Sequence, residues 1–183
     1  MKFAGARELR IISIDPSLRS TGVFICDHGE CRAYSIQRKE ERLSVLGRYV
    51  RHFAKEANSK YDLCIIEDYT LGARETSTTV SAEVGGIIRA CFAANGTPII
   101  EMRPMTWKSI TGILPLKLRK SSVQEKREYL NHCIEKFGFT FDTTDEVDAF
   151  YIFWATVQLS RGNFKNGVGS VIRSRLEELR MAL

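Results

Sequence analysis

Asp15 closes the apolar run LRIISID, Glu67 closes the run YDLCIIE, and Asp145 and Asp148 open a late, almost uncharged stretch ending FYIFWA. Carboxylates drawn together repel one another unless they are protonated or bridged by cations. Hard oxygen donors select Mg2+ or Mn2+. Two such ions about 4 Å apart activate a water and stabilise the leaving oxygen of a phosphodiester. Four convergent acids would therefore make a two-ion nuclease site. Each acid also has a plainer reading. Asp15 precedes Pro16 and suits a turn, and Glu67 could pair with a surface cation. Thr143, Thr144 or Asp145 could cap a helix, and first-turn acids suit the positive end of its dipole. Thr144 and Val147 make no capping box, whereas Asp145 and Asp148 are a loose relative of one. Taken alone, 143–155 reads as a capped helix.

Whether the acids meet depends on the elements that carry them. Residues 9–15, 21–27 and 31–37 read as three strands of an antiparallel meander, with a hairpin turn at Asp27-His28-Gly29. An amphipathic helix follows over 40–58, with Leu43, Leu46, Val50, Phe53 and Ala54 at helical spacing. Residues 61–67 read as a buried strand, 79–95 as a helix containing Gly85-Gly86, and 97–102 as a fifth strand. The glycine pair suggests a close packing contact, since glycine weakens a helix. Residues 103–119, punctuated by Pro104, Gly112 and Pro115, read as irregular. A helix over 120–137 turns Val123, Tyr129, Leu130, Cys133, Ile134 and Phe137 inward, and an apolar helix spans 146–160. After SRGNFKNGVGS, residues 169–182 form an amphipathic tail helix. This order predicts a single α/β domain with a mixed sheet and helices on its faces. Functional groups gather outside strand ends in such sheets. If the first and fourth strands are parallel neighbours, Asp15 sits beside Glu67. The three-residue spacing of Asp145 and Asp148 puts both on one helix face.

The chain carries a formal charge of +5. The excess is uneven: Arg103, Lys108, Lys117, Arg119, Lys120, Lys126 and Arg127 outnumber Glu101, Glu125 and Glu128 between 101 and 130. That patch suits a polyanion such as DNA, or else is a solvated helix face. Arg74 with the hydroxyls of Ser77 and Thr78 could donate to phosphates, or be a capped loop. Trp107 and Lys108 could grip DNA, or Trp107 could plug the sheet edge. Tyr61, Phe150, Tyr151, Phe153 and Trp154 read as core, and His28, His52 and His132 as turn or helix-surface residues. Five scattered cysteines form no CxxC pair, which argues against zinc and a disulfide framework and for a reducing compartment. No membrane span or signal peptide is expected.

Four segments taken in order, IISIDPSLRSTG (11–22), CIIEDY (64–69), RKSSVQ (119–124) and DEVDAF (145–150), resemble the RuvC-type Holliday junction resolvases. The resemblance runs from 11 to about 160, and the divergent tail suggests a phage or viral-like branch. It implies an RNase H-like (retroviral integrase) fold: a mixed five-stranded sheet, three strands antiparallel and then parallel ones, with helices on both faces. The nuclease domain would be 1–165, followed by a linker and C-terminal helix over 166–183. It implies Asp15, Glu67, Asp145 and Asp148 as ligands of two Mg2+ ions, replaceable by Mn2+, with Lys120 near the scissile phosphate. It further implies a homodimer that nicks opposing strands of a four-way DNA junction symmetrically, in the cytoplasm of a bacterial or phage-infected cell and without a nucleotide cofactor. Tyr69 is the nearest candidate for the family's junction-probing aromatic residue, while Thr70 holds the family position. Three rivals remain: a non-catalytic junction binder, a related nuclease acting on flaps, forks or RNA, and a sugar-kinase or actin-like nucleotide binder. The last is suggested by the DPSLRSTG turn, but it needs two such domains.

Overall fold

The computed structural model describes residues 9–37, 41–68, 75–113, 123–161, 174 and 177, and of these not the side chains of 75–81, 124 and 125. Five strands, β1 (Arg10–Asp15), β2 (Ser20–Asp27), β3 (Glu30–Gln37), β4 (Leu63–Glu67) and β5 (Ile99–Met102), form one sheet in the order β3-β2-β1-β4-β5. β1 pairs antiparallel with β2, and β2 with β3, whereas β1–β4 and β4–β5 are parallel. The β2–β3 turn is a tight two-residue link. His28 and Gly29 both have positive φ, at 48° and 87°, the geometry that matches the twist of a hairpin.

Side chains alternate across the sheet, so each strand feeds two cores. Ile12, Ile14, Val23, Ile25, Cys64 and Ile66 face α1 (Arg42–Ala57) and α2 (Glu75–Ala94). Ile11, Phe24, Cys26, Leu63 and Ile65 face α3 (Pro104–Thr111), α4 (Val123–Phe137) and α5 (Thr144–Ser160). Helices therefore cover both faces, as expected of an RNase H-like fold. On the second face Phe24 meets Phe139, Phe141, Phe150 and Phe153 at centroid distances of 5.0 to 6.5 Å. The Ser13 hydroxyl is fully buried and donates to the Ala149 carbonyl at 2.8 Å, tying β1 to α5.

Several expectations are corrected. Residues 104–111 are helical, because Pro104 occupies the first turn, where its missing N–H costs nothing, and Gly112 ends the helix at φ 74°. α1 buries Val45, Tyr49, Phe53 and Ala57, whereas Leu43 is 81% exposed and Val50 is exposed too. The face is set by Tyr49, whose hydroxyl reaches the carbonyls of Ser17 and Ile36. In α4, Tyr129, Cys133 and Phe137 are buried, while Val123 and Ile134 are exposed. Of the Gly85-Gly86 pair, Gly86 has open space where a side chain would stand, so close packing does not account for it, whereas Gly85 is buried.

The cysteines are free thiols, as expected. Tyr61, Phe150, Tyr151 and Phe153 are buried. His52 is half-buried against Tyr34 rather than on the helix surface. Among the described residues no helix is long and apolar enough to cross a membrane. The tail helix and the boundary at 165 lie outside the described residues, apart from 174 and 177.

Candidate active site

The last parallel pair of β1 and β4 is Ile14 with Ile66, so Asp15 and Glu67 are the next residues on adjacent strand tips. Alternation fixes their side. Ile14 and Ile66 face α1 and α2, so Asp15 and Glu67 face α5, on the same side as Ser13 and Ile65. The next residue, Asp68, turns to the other side and pairs with Arg89 of α2 at 3.6 Å and with Arg103 at 3.9 Å. Only one of these two neighbouring acids therefore faces α5.

α5 delivers Asp145 and Asp148 to that side. A Cβ built on Gly22, the β2 partner of Asp15, would lie 1.9 Å from the Asp145 carbonyl oxygen. The first turn of α5 thus rests directly on the strand beside Asp15. Of the three expected capping candidates, Thr143 is the N-cap. Thr143 accepts from the Glu146 N–H at 3.2 Å, and the buried Glu146 carboxylate accepts from the Asp142 N–H at 2.9 Å. This Thr-x-x-Glu arrangement, a variant of the capping box in which the Glu reaches the N–H before the N-cap, meets the helix's need for an N-cap, so capping does not explain Asp145 or Asp148.

Two buried donors hold the acids. The Trp107 indole N–H donates to Glu67 Oε2 at 2.6 Å, and the Tyr129 hydroxyl donates to Asp148 Oδ1 at 2.6 Å. Trp107 is wholly buried, which decides between the two roles considered for it: it packs under the sheet edge and does not present its ring to a ligand. Burial, with the Asp148 charge added, pushes the Tyr129 phenol well above its ordinary value, so it remains a donor. From the sequence Tyr129 reads only as core, and Trp107 has no evident partner. The available signal was that a buried indole or phenol needs an acceptor. Lys108 lies with its Nζ 4.9 Å from the Trp107 ring centroid, one ring away from Glu67.

Beside Asp145 opens a cleft of about 370 Å3 between the β1–β2 turn and the α4 and α5 helices. Arg19 and Lys126 line it together with Thr143 and Thr144. Arg19 was not among the residues singled out from the sequence. Tyr69, Arg74, Lys117, Arg119 and Lys120 lie outside the described residues, and of Ser77 and Thr78 only the backbone, in the first turn of α2, is described.

The donor set is of the right class for a hard divalent cation: carboxylates on one face, with no imidazole or thiol among them. Among the described residues, however, no three such side chains are gathered closely enough to hold a metal ion. The chemistry of the set fits Mg2+ or Mn2+, while its spacing does not define an ion position.

No family model matches the chain, and no curated protein does. Solved structures do. Thermus thermophilus RuvC in complex with a Holliday junction substrate aligns at a TM-score of 0.63 and 13% identity, covering 84% of this chain and 96% of that one. A second T. thermophilus RuvC structure aligns at 0.60 and 13% identity, covering 85% and 97%. A Fowlpox virus resolvase with Holliday junction DNA aligns at 0.44 and 13% identity, covering 86% and 100%. With its strand order, its helices on both faces and acids at the two central strand tips, this chain has the RNase H-like fold of RuvC.

Proposed function

We propose that the protein is a divalent-cation-dependent endonuclease that resolves four-way DNA junctions by paired symmetric nicks, as a homodimer. The carrying observation is that Asp15 and Glu67, on adjacent parallel strand tips, face the helix that brings Asp145 and Asp148. The RuvC fold, which T. thermophilus uses on a Holliday junction substrate, supports the substrate class. Two Mg2+ ions, with Mn2+ as substitute, would supply Lewis-acid stabilisation of the scissile phosphate and its leaving oxygen. The four carboxylates would hold those ions. Lys120 and Lys108 would place positive charge beside the phosphate, and Arg19 and Lys126 would flank the strand along the cleft. In-line attack by water would leave 5′-phosphate and 3′-hydroxyl ends. Arg74, Ser77, Thr78, Lys117 and Arg119 are the further proposed DNA contacts, with Tyr69 at the junction.

The test is a cleavage panel of labelled duplex, flap, three-way and four-way DNA with and without Mg2+. Symmetric paired nicks confined to the four-way substrate are the expected result. Cleavage of flaps or forks alone would assign the protein to the related branched-DNA nucleases. Binding without metal-dependent nicking would make it a non-catalytic junction binder.

A further inference from the structure

Trp107 and Tyr129 hold two different acids, yet they share a neighbour. The Trp107 ring stacks on Tyr151 with centroids 6.4 Å apart and planes 12° apart, and Tyr151 stacks on Tyr129 at 6.0 Å and 23°. The three rings come from α3, α5 and α4, and all are essentially inaccessible to solvent. One end of this column donates to Glu67 on β4 and the other to Asp148 on α5. We propose that the Trp107–Tyr151–Tyr129 column is the positioning device of the site, fixing the Glu67 and Asp148 carboxylates as a linked pair for cation binding. The proposal rests on the reading of those acids as cation ligands.

The physical argument has three steps. At 2.6 Å both bonds lie at the short end of the hydrogen-bond range, so each donor engages its carboxylate directly. Rings enclosed on all sides have no alternative rotamer, so a carboxylate bound to one inherits its fixed orientation. Partners behind a ligand, which orient it without touching the ion, typically change metal affinity about tenfold to a hundredfold when removed. A buried indole needs only some acceptor, and a backbone carbonyl would serve. Here both donors are directed at acids of the candidate set, and Tyr151 links them across three helices.

The test uses Trp107→Phe and Tyr129→Phe, which keep a ring and delete one donor, and Tyr151→Leu, which opens the column but keeps both donors. Two quantities are read: the Mg2+ or Mn2+ binding midpoint (apparent Kd) fitted to the logarithmic rise of Tm with cation concentration, and the Mg2+ midpoint of junction cleavage against its rate at saturating Mg2+. Each variant should raise both midpoints about tenfold or more, with a smaller effect on the saturated rate. The Trp107→Phe, Tyr129→Phe double variant should lose less than the product of the single losses, because the two bonds share one column. A purely structural column would lower the cation-free Tm and leave the midpoints where they were, and that result overturns the proposal. Should a donor deletion fail to fold, Tyr151→Leu carries the same readout. A wild-type Tm that ignores both cations would overturn the cation reading and this proposal together. A responsive wild type with unmoved midpoints in the folded variants would overturn this proposal alone.

Discussion

Gly22 and Asp145 touch where no side chain would fit: a Cβ on Gly22 would stand 1.9 Å from the Asp145 carbonyl oxygen and 2.3 Å from its carbonyl carbon. Backbone cannot move aside as the end of a flexible side chain can. Gly22→Ala must therefore lift the first turn of α5 from β2, and with it Asp145 from beside Asp15. Overpacking of this kind costs about 1–3 kcal/mol. The expected outcome is a lower urea midpoint together with a loss of cleavage greater than the unfolded fraction explains. A variant that cleaves normally once folded would show that Asp145 does not need its place beside Asp15.

Asp15→Asn and Glu67→Gln are isosteric and remove charge without removing bulk. In the Glu67→Gln variant the new amide carbonyl can still accept from the Trp107 indole, so the fold around β4 should stand. Cleavage should vanish in both while four-way junction binding, carried by basic side chains, persists. Gel-shift and nicking assays on the same preparations separate the two effects. Full cleavage in either variant would remove that acid from the catalytic set.

The strand-tip acids were legible because two-residue alternation is written in the sequence: Ile12 and Ile14 go to one core and Ser13 and Asp15 to the other. The sheet order followed from three short-linked strands and then strand–helix alternation. α3 is hidden in the sequence because Pro104 and Gly112 read as breaks, although they are a helix's first-turn and terminal residues. Thr143 was legible as a candidate cap of α5 but its pairing with Glu146 was not, because Thr143, Thr144 and Asp145 each begin an i, i+3 frame and only burial of Glu146 selects the first. The Trp107–Glu67 bond joins residues 40 apart, and no local spacing encodes it.

Cys26 and Cys31 are register partners on β2 and β3, and their sulfurs lie 3.0 Å apart as thiols. Paired antiparallel positions hold Cα atoms at a separation that a disulfide accepts. Oxidised glutathione should convert them to a disulfide, with two protons and two electrons passing to the glutathione pair. The product should be lighter by two hydrogens. Its stability should rise by at most about 2 kcal/mol, since the closed loop is short. Cys31→Ser should block the change. A second thiol pair forming first would contradict this assignment, as would no oxidation at all.

His52 gives the hairpin a pH dependence whose sign follows from its burial. Its Nε2 lies 2.9 Å from the Tyr34 hydroxyl, and burial lowers its pKa below the ordinary value. Glu56 opposes that shift, while Lys55 and Arg48 add to it. In the unfolded chain the imidazole takes up a proton near about pH 6.5, and in the folded chain only at lower pH. Between those values the unfolded state binds more protons, so stability rises with pH there. The contribution is complete above about pH 6.5 and is lost as pH falls toward the lowered folded value. Carboxylate linkage begins mostly below about pH 5, which leaves a window for the histidine. Urea midpoints measured across that window should fall on acidification in the wild type and stay flatter in His52→Gln. Equal slopes in the two proteins would mean that the acid sensitivity lies elsewhere.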